Sequence, residues 1–176
     1  MHKRKMSMHQ LVEPKIFHRK RFDDQRGWFS EVYRQEWFDE LRVEFVQDNV
    51  SFSKKQILRG MHYQTVPGQA KFVSVLKGKI FDVIVDIRKN SQNFKKWTGF
   101  ELSAENGKQL FIPVGFAHGF VALEDAIVSY KVSSYFDPET EKSFRYDDPS
   151  IQIDWPIKEV ILSERDRNAP NFLEGL

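Results

Sequence analysis

Lys79–Arg88 constrains the fold more than any other segment, because its residues alternate strictly between two sets. Phe81, Val83, Val85 and Ile87 fall on one side, and Ile80, Asp82, Ile84 and Asp86 on the other. Successive side chains of a strand point to opposite faces, so period two marks a sheet with one face buried. Lys71–Leu76 precedes this run, and Lys77-Gly78-Lys79 between them is short and glycine-centred, as a hairpin turn is. Trp97–Ser103, Gln109–Ile112, His118–Leu123 and Ile127–Val132 read as further strands. Turn signals separate them at Lys89-Asn90-Ser91, Glu105-Asn106-Gly107, Pro113-Val114-Gly115 and Glu124-Asp125. Short strands spaced by roughly 8–12 residues predict an all-β sandwich, jelly roll or barrel. Helix is scarce: Gln35–Leu41 has room for two turns, and another short helix begins near Ser163. No internal repeat, low-complexity tract or linker interrupts the pattern. Residues 1–176 therefore read as one domain with an N-terminal arm, of which 1–12 is a flexible start.

A chain of 176 residues, 40% apolar with sixteen phenylalanines, is large enough to bury a substantial core. Its 27 basic and 25 acidic residues leave a net charge of +2, which gives no electrostatic footprint for nucleic acid. Two basic runs stand out. His2-Lys3-Arg4-Lys5 reads as a frayed terminus, whereas His18-Arg19-Lys20-Arg21 has the charge to meet a phosphorylated ligand. The absence of cysteine excludes disulfides, thiolate nucleophiles and thiolate metal sites. No apolar stretch approaches the length of a membrane span and no signal-peptide core follows the basic start, so a cytoplasmic protein is expected.

Five histidines are present, and His2, His9 and His18 lie in the polar arm. His62 and His118 sit inside patterns that read as β-structure, and barrels enclose their ligands, so inward polar residues become the site candidates. His62 stands in Arg59-Gly60-Met61-His62-Tyr63-Gln64, after a fixed cation and a glycine. An imidazole titrates near neutrality and is a natural general acid or base. The same placement also fits a satisfied core histidine or a metal ligand.

Gly107, Pro113, Gly115 and His118 are spaced as in the second motif of the cupin superfamily. The resemblance implies a cupin-type jelly-roll barrel with a few short helices, in which the glycine turn delivers His118 to a strand start. Many cupins hold a metal through a His-x-His pair and a glutamate. Here the corresponding place reads His62-Tyr63-Gln64, and two imidazoles without a carboxylate or third nitrogen make a poor divalent site. No metal is expected.

A closer resemblance runs from Glu13 to Pro170. It is carried by Arg26-Gly27-Trp28-Phe29-Ser30-Glu31, Gln47-Asp48-Asn49-Val50-Ser51, the Arg59–Gln64 run, Lys71, Gly78 and Asp82–Arg88. Glu101–Asn106, Ile112–Phe120, Tyr130-Lys131, Asp147-Asp148-Pro149, Ile153–Pro156 and Leu162–Asp166 extend it in the same order. Together they resemble the dTDP-4-dehydrorhamnose 3,5-epimerase family. That resemblance implies a cofactor-free enzyme inverting C3 and C5 of dTDP-4-keto-6-deoxy-D-glucose to give dTDP-4-keto-L-rhamnose. A carbon acid beside a ketone is weaker than imidazolium by on the order of ten pKa units, so bare proton transfer would cost roughly 14 kcal/mol. The enolate oxygen must therefore be stabilised, the base held in place, and a proton returned from the opposite face.

By resemblance, His62 is the base, Asp166 orients it, Tyr130 is the opposing acid, and Lys71 and His118 lie near the ketone or its enolate. Each has a plainer reading from the residues alone. Ser163-Glu164-Arg165-Asp166 is also a helix capping box. Tyr130 shares a face with Val128 and Val132 as a core tyrosine would, Lys71 sits at a strand start, and His118 closes a turn. For the nucleotide the resemblance assigns Arg59 to the pyrophosphate, with Arg88 either beside it or paired to Asp86 or Glu101. It assigns Phe22, Arg26 and Glu31 to the thymidine, Gln47 and Asn49 to the pocket wall, and Tyr135 to a place near the nucleotide. Related chains reach across a dimer with their N-terminal segment, so a homodimer is expected. Departures include Phe136 where a second tyrosine is common, Arg165 for a frequent lysine, and a loop before Tyr130 one residue short. A single-carbon 3-epimerase and a metal-dependent cupin enzyme are the alternative readings. A silent sugar-nucleotide binding module is disfavoured because His62, Tyr130 and Asp166 are all present.

Overall fold

The structure, a computed structural model, describes residues 12–172. The run at His2 and nearly all of the expected 1–12 start lie outside these residues. In chain order the strands are β1 (Lys15–His18), β2 (Phe22–Asp24), β3 (Gly27–Phe29), β4 (Gln47–Ser53), β5 (Leu58–Gln64) and β6 (Lys71–Lys77). They continue as β7 (Lys79–Asp86), β8 (Trp97–Ser103), β9 (Lys108–Ile112), β10 (Phe116–Ala122), β11 (Ala126–Val132) and β12 (Glu141–Ser143). A 3₁₀ turn at Gln35–Trp37 and a helix α1 at Glu164–Arg167 complete the set.

Two five-stranded antiparallel sheets, ordered β1-β9-β6-β11-β4 and β12-β5-β10-β7-β8, form an all-β jelly-roll barrel, one of the architectures that the strand spacing allows and the one that the cupin resemblance implies. From β4 to β12 every connection passes from one sheet to the other, apart from β7–β8. This corrects the reading of Lys77-Gly78-Lys79 as a hairpin turn. β6 and β7 belong to different sheets, and Gly78 turns the corner at φ +71 with no room for a Cβ, which would lie 2.2 Å from the Asp125 carbonyl oxygen.

The expectation of one buried face also needs correction at β7. Ile80 and Ile84 pack inside the barrel with Val73, Val75, Leu102, Leu110 and Phe120. The opposite face, Val83 and Val85, is equally buried beneath Phe144, Ile151 and Phe172 of the C-terminal segment. Removing a side chain of this kind from water contributes about 1.5–3 kcal/mol, so the segment is held firmly against the barrel.

The outer face of the first sheet is covered from the N-terminal side. Phe17 of β1, Tyr33, Trp37 and Phe38 pack on Phe72 and Phe111. Gln35–Leu41 forms one 3₁₀ turn followed by turns, not two helical turns. Fully buried Phe38 lies edge-on to Phe72 at 4.8 Å between ring centroids, and this anchor fixes the local path. The expected arm is thus partly a sheet edge and a lid on the core.

Candidate active site

β4 is amphipathic in the unusual sense. Gln47, Asn49 and Ser51 line a cavity of about 410 Å³, while Val50 and Phe52 on the other face are 69% and 52% exposed. Lys71 of β6, Tyr130 of β11, Arg59 and His62 of β5, His118 of β10 and Asp166 of α1 line it as well. Strands of both sheets therefore converge on it.

His62 owes its position to two glycines. Its cross-strand partner is His118, and the register then slips by a β-bulge before Phe120 pairs with Arg59. At the slip Gly60, at φ +136, lies against Gly119, and a Cβ on Gly60 would sit 2.5 Å from the Gly119 Cα. The glycine of the Arg-Gly-Met-His run is thus required by close backbone approach.

His62 Nε2 lies 2.6 Å from the Asp166 carboxylate, which is 5% exposed. Asp166 is delivered by the C-terminal segment, clamped to the start of β5 by a bridge between Ile57 and Ile161. Ser163 caps α1, its hydroxyl accepting from the Asp166 backbone N–H at 3.1 Å. Capping and orienting are therefore compatible: the backbone of Asp166 serves the helix, and its side chain serves His62. Burial would push the Asp166 carboxyl up, but hydrogen bonding and charge from His62, with the Ser163 side chain and the Gly60 backbone, hold it below the usual range. An ionised carboxylate only accepts, so Nε2 of neutral His62 carries the proton and Nδ1 the basic lone pair.

A second such pair stands beside the first. His118 Nε2 is 2.9 Å from Oδ2 of Asp82, a fully buried carboxylate whose Oδ1 has no hydrogen-bond partner among the described residues. Lys71 is buried at the start of β6, and among the described residues its ammonium has no hydrogen bond and no carboxylate within ion-pair distance. Burial lowers its pKa, opposed by the more distant charges of Glu141 and Asp82. Tyr130 is held above its ordinary pKa, first by burial and then by Glu141, with Arg59 acting the other way. The phenol is accordingly neutral at pH 7.

At the rim, Arg59 donates to the Ser53 hydroxyl at 2.9 Å and the Phe52 carbonyl at 3.1 Å, which fixes its guanidinium. Gln47 donates to Asn49 at 2.8 Å and accepts from the Phe136 N–H at 3.2 Å. Arg165 pairs with Glu141 at 2.5 Å.

The structure thus brings together His62, Asp166, Tyr130, Lys71, His118, Arg59, Gln47 and Asn49. It does not bring Phe22, Arg26, Glu31 or Tyr135 into this cavity. Phe22 and Glu31 line a separate groove with Phe17, Trp37 and Gln109. Arg26 is exposed and paired to Asp24, and Tyr135 is 71% exposed. Arg88 pairs with Asp86 at 2.6 Å and Glu13 at 3.0 Å, at the edge of a larger groove of about 770 Å³ whose lining, among the described residues, includes no histidine.

Four further polar residues belong to this region: Ser51, Gln69 and Glu141 line the cavity, and Asp82 holds His118. Ser51 continues the period-two set of Gln47 and Asn49, and Asp82 is a carboxylate on the face of Ile80 and Ile84, so both left a signal. Glu141 and Gln69 lie in polar surroundings and left none. Gln64, where a metal-binding cupin carries a second imidazole, bonds to neighbouring loops. Among the described residues no group of three or more His, Asp or Glu side chains is arranged to hold a metal ion. Nor is any helix of the described residues long and apolar enough to cross a membrane.

Comparison with known proteins accounts for this arrangement. The family model for dTDP-4-dehydrorhamnose 3,5-epimerase matches residues 9–174. The chain is 48% identical over 170 residues to the enzyme of that name from Shigella flexneri, covering 94% of this chain and 91% of the relative. It is 47% identical over 164 residues to that from Methanothermobacter thermautotrophicus, covering 90% and 86%. Among solved structures, it superposes on a dTDP-6-deoxy-D-glucose-3,5-epimerase from Legionella pneumophila Philadelphia 1 in complex with dTDP-4-keto-L-rhamnose. The TM-score is 0.87 at 47% identity, over 92% of this chain and 89% of that one. A histidine–aspartate pair facing a buried lysine and a tyrosine inside a jelly roll, matched over nearly the whole chain, leads to one conclusion: the chain belongs to the dTDP-4-dehydrorhamnose 3,5-epimerase family.

Proposed function

We propose that this protein inverts C3 and C5 of dTDP-4-keto-6-deoxy-D-glucose by successive enolate formation, giving dTDP-4-keto-L-rhamnose. The observation that carries the reading is the His62–Asp166 pair, set in one cavity with Tyr130 and Lys71. In this reading His62 removes the proton α to the ketone, and Asp166 stabilises the imidazolium that results. Lys71, a cation with no carboxylate within ion-pair distance among the described residues, offsets the charge developing on the enolate oxygen, assisted by His118. Tyr130, a neutral phenol, returns a proton from the opposite face. Arg59 at the rim holds the diphosphate, and Gln47 and Asn49 line the approach.

The nucleotide end also favours a homodimer. Phe22, Trp28 and Phe29 of the β2–β3 ribbon and Val50 and Phe52 of edge strand β4 present exposed apolar surface, as an interface between copies does. In such a dimer Phe22, Arg26 and Glu31 of one copy serve the cavity of the other. Light scattering giving one chain mass in solution would refute the dimer. Proton NMR of dTDP-4-keto-6-deoxyglucose incubated with the protein in D₂O tests the activity. Deuterium entering both C3 and C5 with inversion is the expected result; exchange at neither carbon would overturn the reading.

A further inference from the structure

We propose that Gln64 is a positioning residue which sets the mouth of the cavity by holding the 134–137 segment; this rests on the epimerase reading above. Gln64 is two residues beyond His62 on β5 and is buried. Both ends of its amide are engaged. Nε2 donates to the Ser134 hydroxyl at 3.3 Å and the Tyr135 carbonyl at 3.2 Å, and Oε1 accepts from the Gln69 amide and the Asp137 N–H, each at 3.4 Å. Gln69 also donates to the Ser134 carbonyl at 2.9 Å, and the Ser134 hydroxyl donates to the Gly68 carbonyl at 3.0 Å. One amide thus ties the histidine-bearing strand to the loop before β6 and to the segment after β11.

The rest of what holds that segment is also polar: Asp137 closes a turn with Glu139, Thr140 and Glu141. Tyr135 and Phe136 are 71% and 51% exposed, yet Phe136 lines the cavity. Apolar burial therefore does not decide where Phe136 stands; the Gln64 and Gln69 amides, which donate to the Tyr135 and Ser134 carbonyls, and Gln47, which accepts from the Phe136 N–H, do. The distances are long for single bonds, so the restraint lies in the set. A primary amide meets a backbone carbonyl and a backbone N–H together, and it stays neutral at every pH the enzyme meets. A carboxylate or imidazole at this place would add a titrating group two residues from His62.

A merely structural Gln64 would affect melting temperature alone, whereas a positioning role appears in substrate capture. Gln64→Met is expected to raise KM about tenfold while kcat changes less than about threefold. Gln69→Met should shift KM in the same direction, and the double variant should be no worse than Gln64→Met by more than about twofold, since the two act through one network. Hydrogen exchange should quicken at 134–137 and not in β10. KM within about twofold of wild type in both single variants, or kcat falling as far as KM rises, would overturn the proposal. If Gln64→Met fails to fold, Gln69→Met and Ser134→Ala carry the same test by the same criteria. Absence of turnover in the wild type would defeat the epimerase reading, and exchange at 134–137 would still decide whether Gln64 holds the segment.

Discussion

His62 and His118 stand opposite each other on β5 and β10, and each directs its Nε2 to a different buried carboxylate, Asp166 for one and Asp82 for the other. The two rings are thereby fixed independently. Asp166 arrives on the C-terminal segment, whereas Asp82 belongs to the barrel wall on β7. Division of this kind allows one imidazole to gain and lose a proton while its neighbour keeps its place.

Replacing His62 separates chemistry from binding. His62→Asn is expected to abolish solvent exchange at both C3 and C5, while titration calorimetry shows dTDP binding largely retained. The Arg59 contacts to Ser53 and Phe52 do not involve His62, so the rim cation stays in place. Near-normal exchange in a folded variant would locate the base elsewhere.

Asp166→Asn tests the orienting role without touching the helix cap, because the cap uses the Asp166 backbone. Turnover should fall by roughly 10²–10⁴, as in other histidine–carboxylate pairs. Ser163→Ala, which removes the cap, should cost about 1 kcal/mol of stability. The pH dependence has a definite sign. The folded carboxyl lies below its ordinary value of 3.8, so its stabilising contribution is complete above that value and is lost as pH falls through the lower folded one. The gap in melting temperature between wild type and Asp166→Asn should therefore narrow below about pH 4. A gap that stays constant there would show that the pairing adds no stability.

The sequence made some of this legible and hid the rest for physical reasons. β7 was readable because both of its faces are buried and its apolar residues run unbroken apart from Asp82 and Asp86. β4 was not, since its polar residues face the cavity and its apolar ones face out, the reverse of the pattern that marks a half-buried strand. Gly78 was readable as a turn, but nothing local records whether two strands joined by a turn share a sheet. The aromatic lid of Phe17, Tyr33, Trp37 and Phe38 follows no period, because irregular chain buries side chains by path. His62 and Asp166 lie 104 residues apart, and only the resemblance to a family linked them before the structure did.

Lys71 should show function opposed to stability. Its buried side chain has no hydrogen bond and no carboxylate within ion-pair distance among the described residues, a costly arrangement for a charged group in the folded state. Lys71→Met is expected to raise stability at pH 7, because the apolar side chain carries no cost of removing a charged group from water. Turnover should fall by roughly 10²-fold or more as the enolate loses its cation. With the folded pKa below 10.5, the cost of burying Lys71 is full below that folded value and is relieved as pH rises through it. Denaturant titrations at pH 7 and pH 10 check this; a variant less stable than wild type at both would count against it.

Tyr130 decides whether removal and return of the proton belong to different groups. It pairs with Asn49 on one side and Val73 on the other, inside the cavity that holds His62. Burial, reinforced by Glu141 and opposed by Arg59, keeps its pKa above 10.0, so the phenol stays protonated through the working range. Inversion needs a proton taken from one face and delivered to the other, which one imidazole cannot readily do alone. Tyr130→Phe deletes only the hydroxyl and keeps the ring against the interior cluster around Val128. The variant should bind substrate and still admit deuterium at C3 or C5, because His62 can remove a proton and return one to the same face. Neither carbon should invert efficiently. Exchange without inversion is the mark of a base that has lost its opposing acid, and NMR in D₂O reads both events in one sample. Inversion at the wild-type rate would assign the acid to another group, and Tyr135, exposed beyond the rim, would be the next hydroxyl to remove.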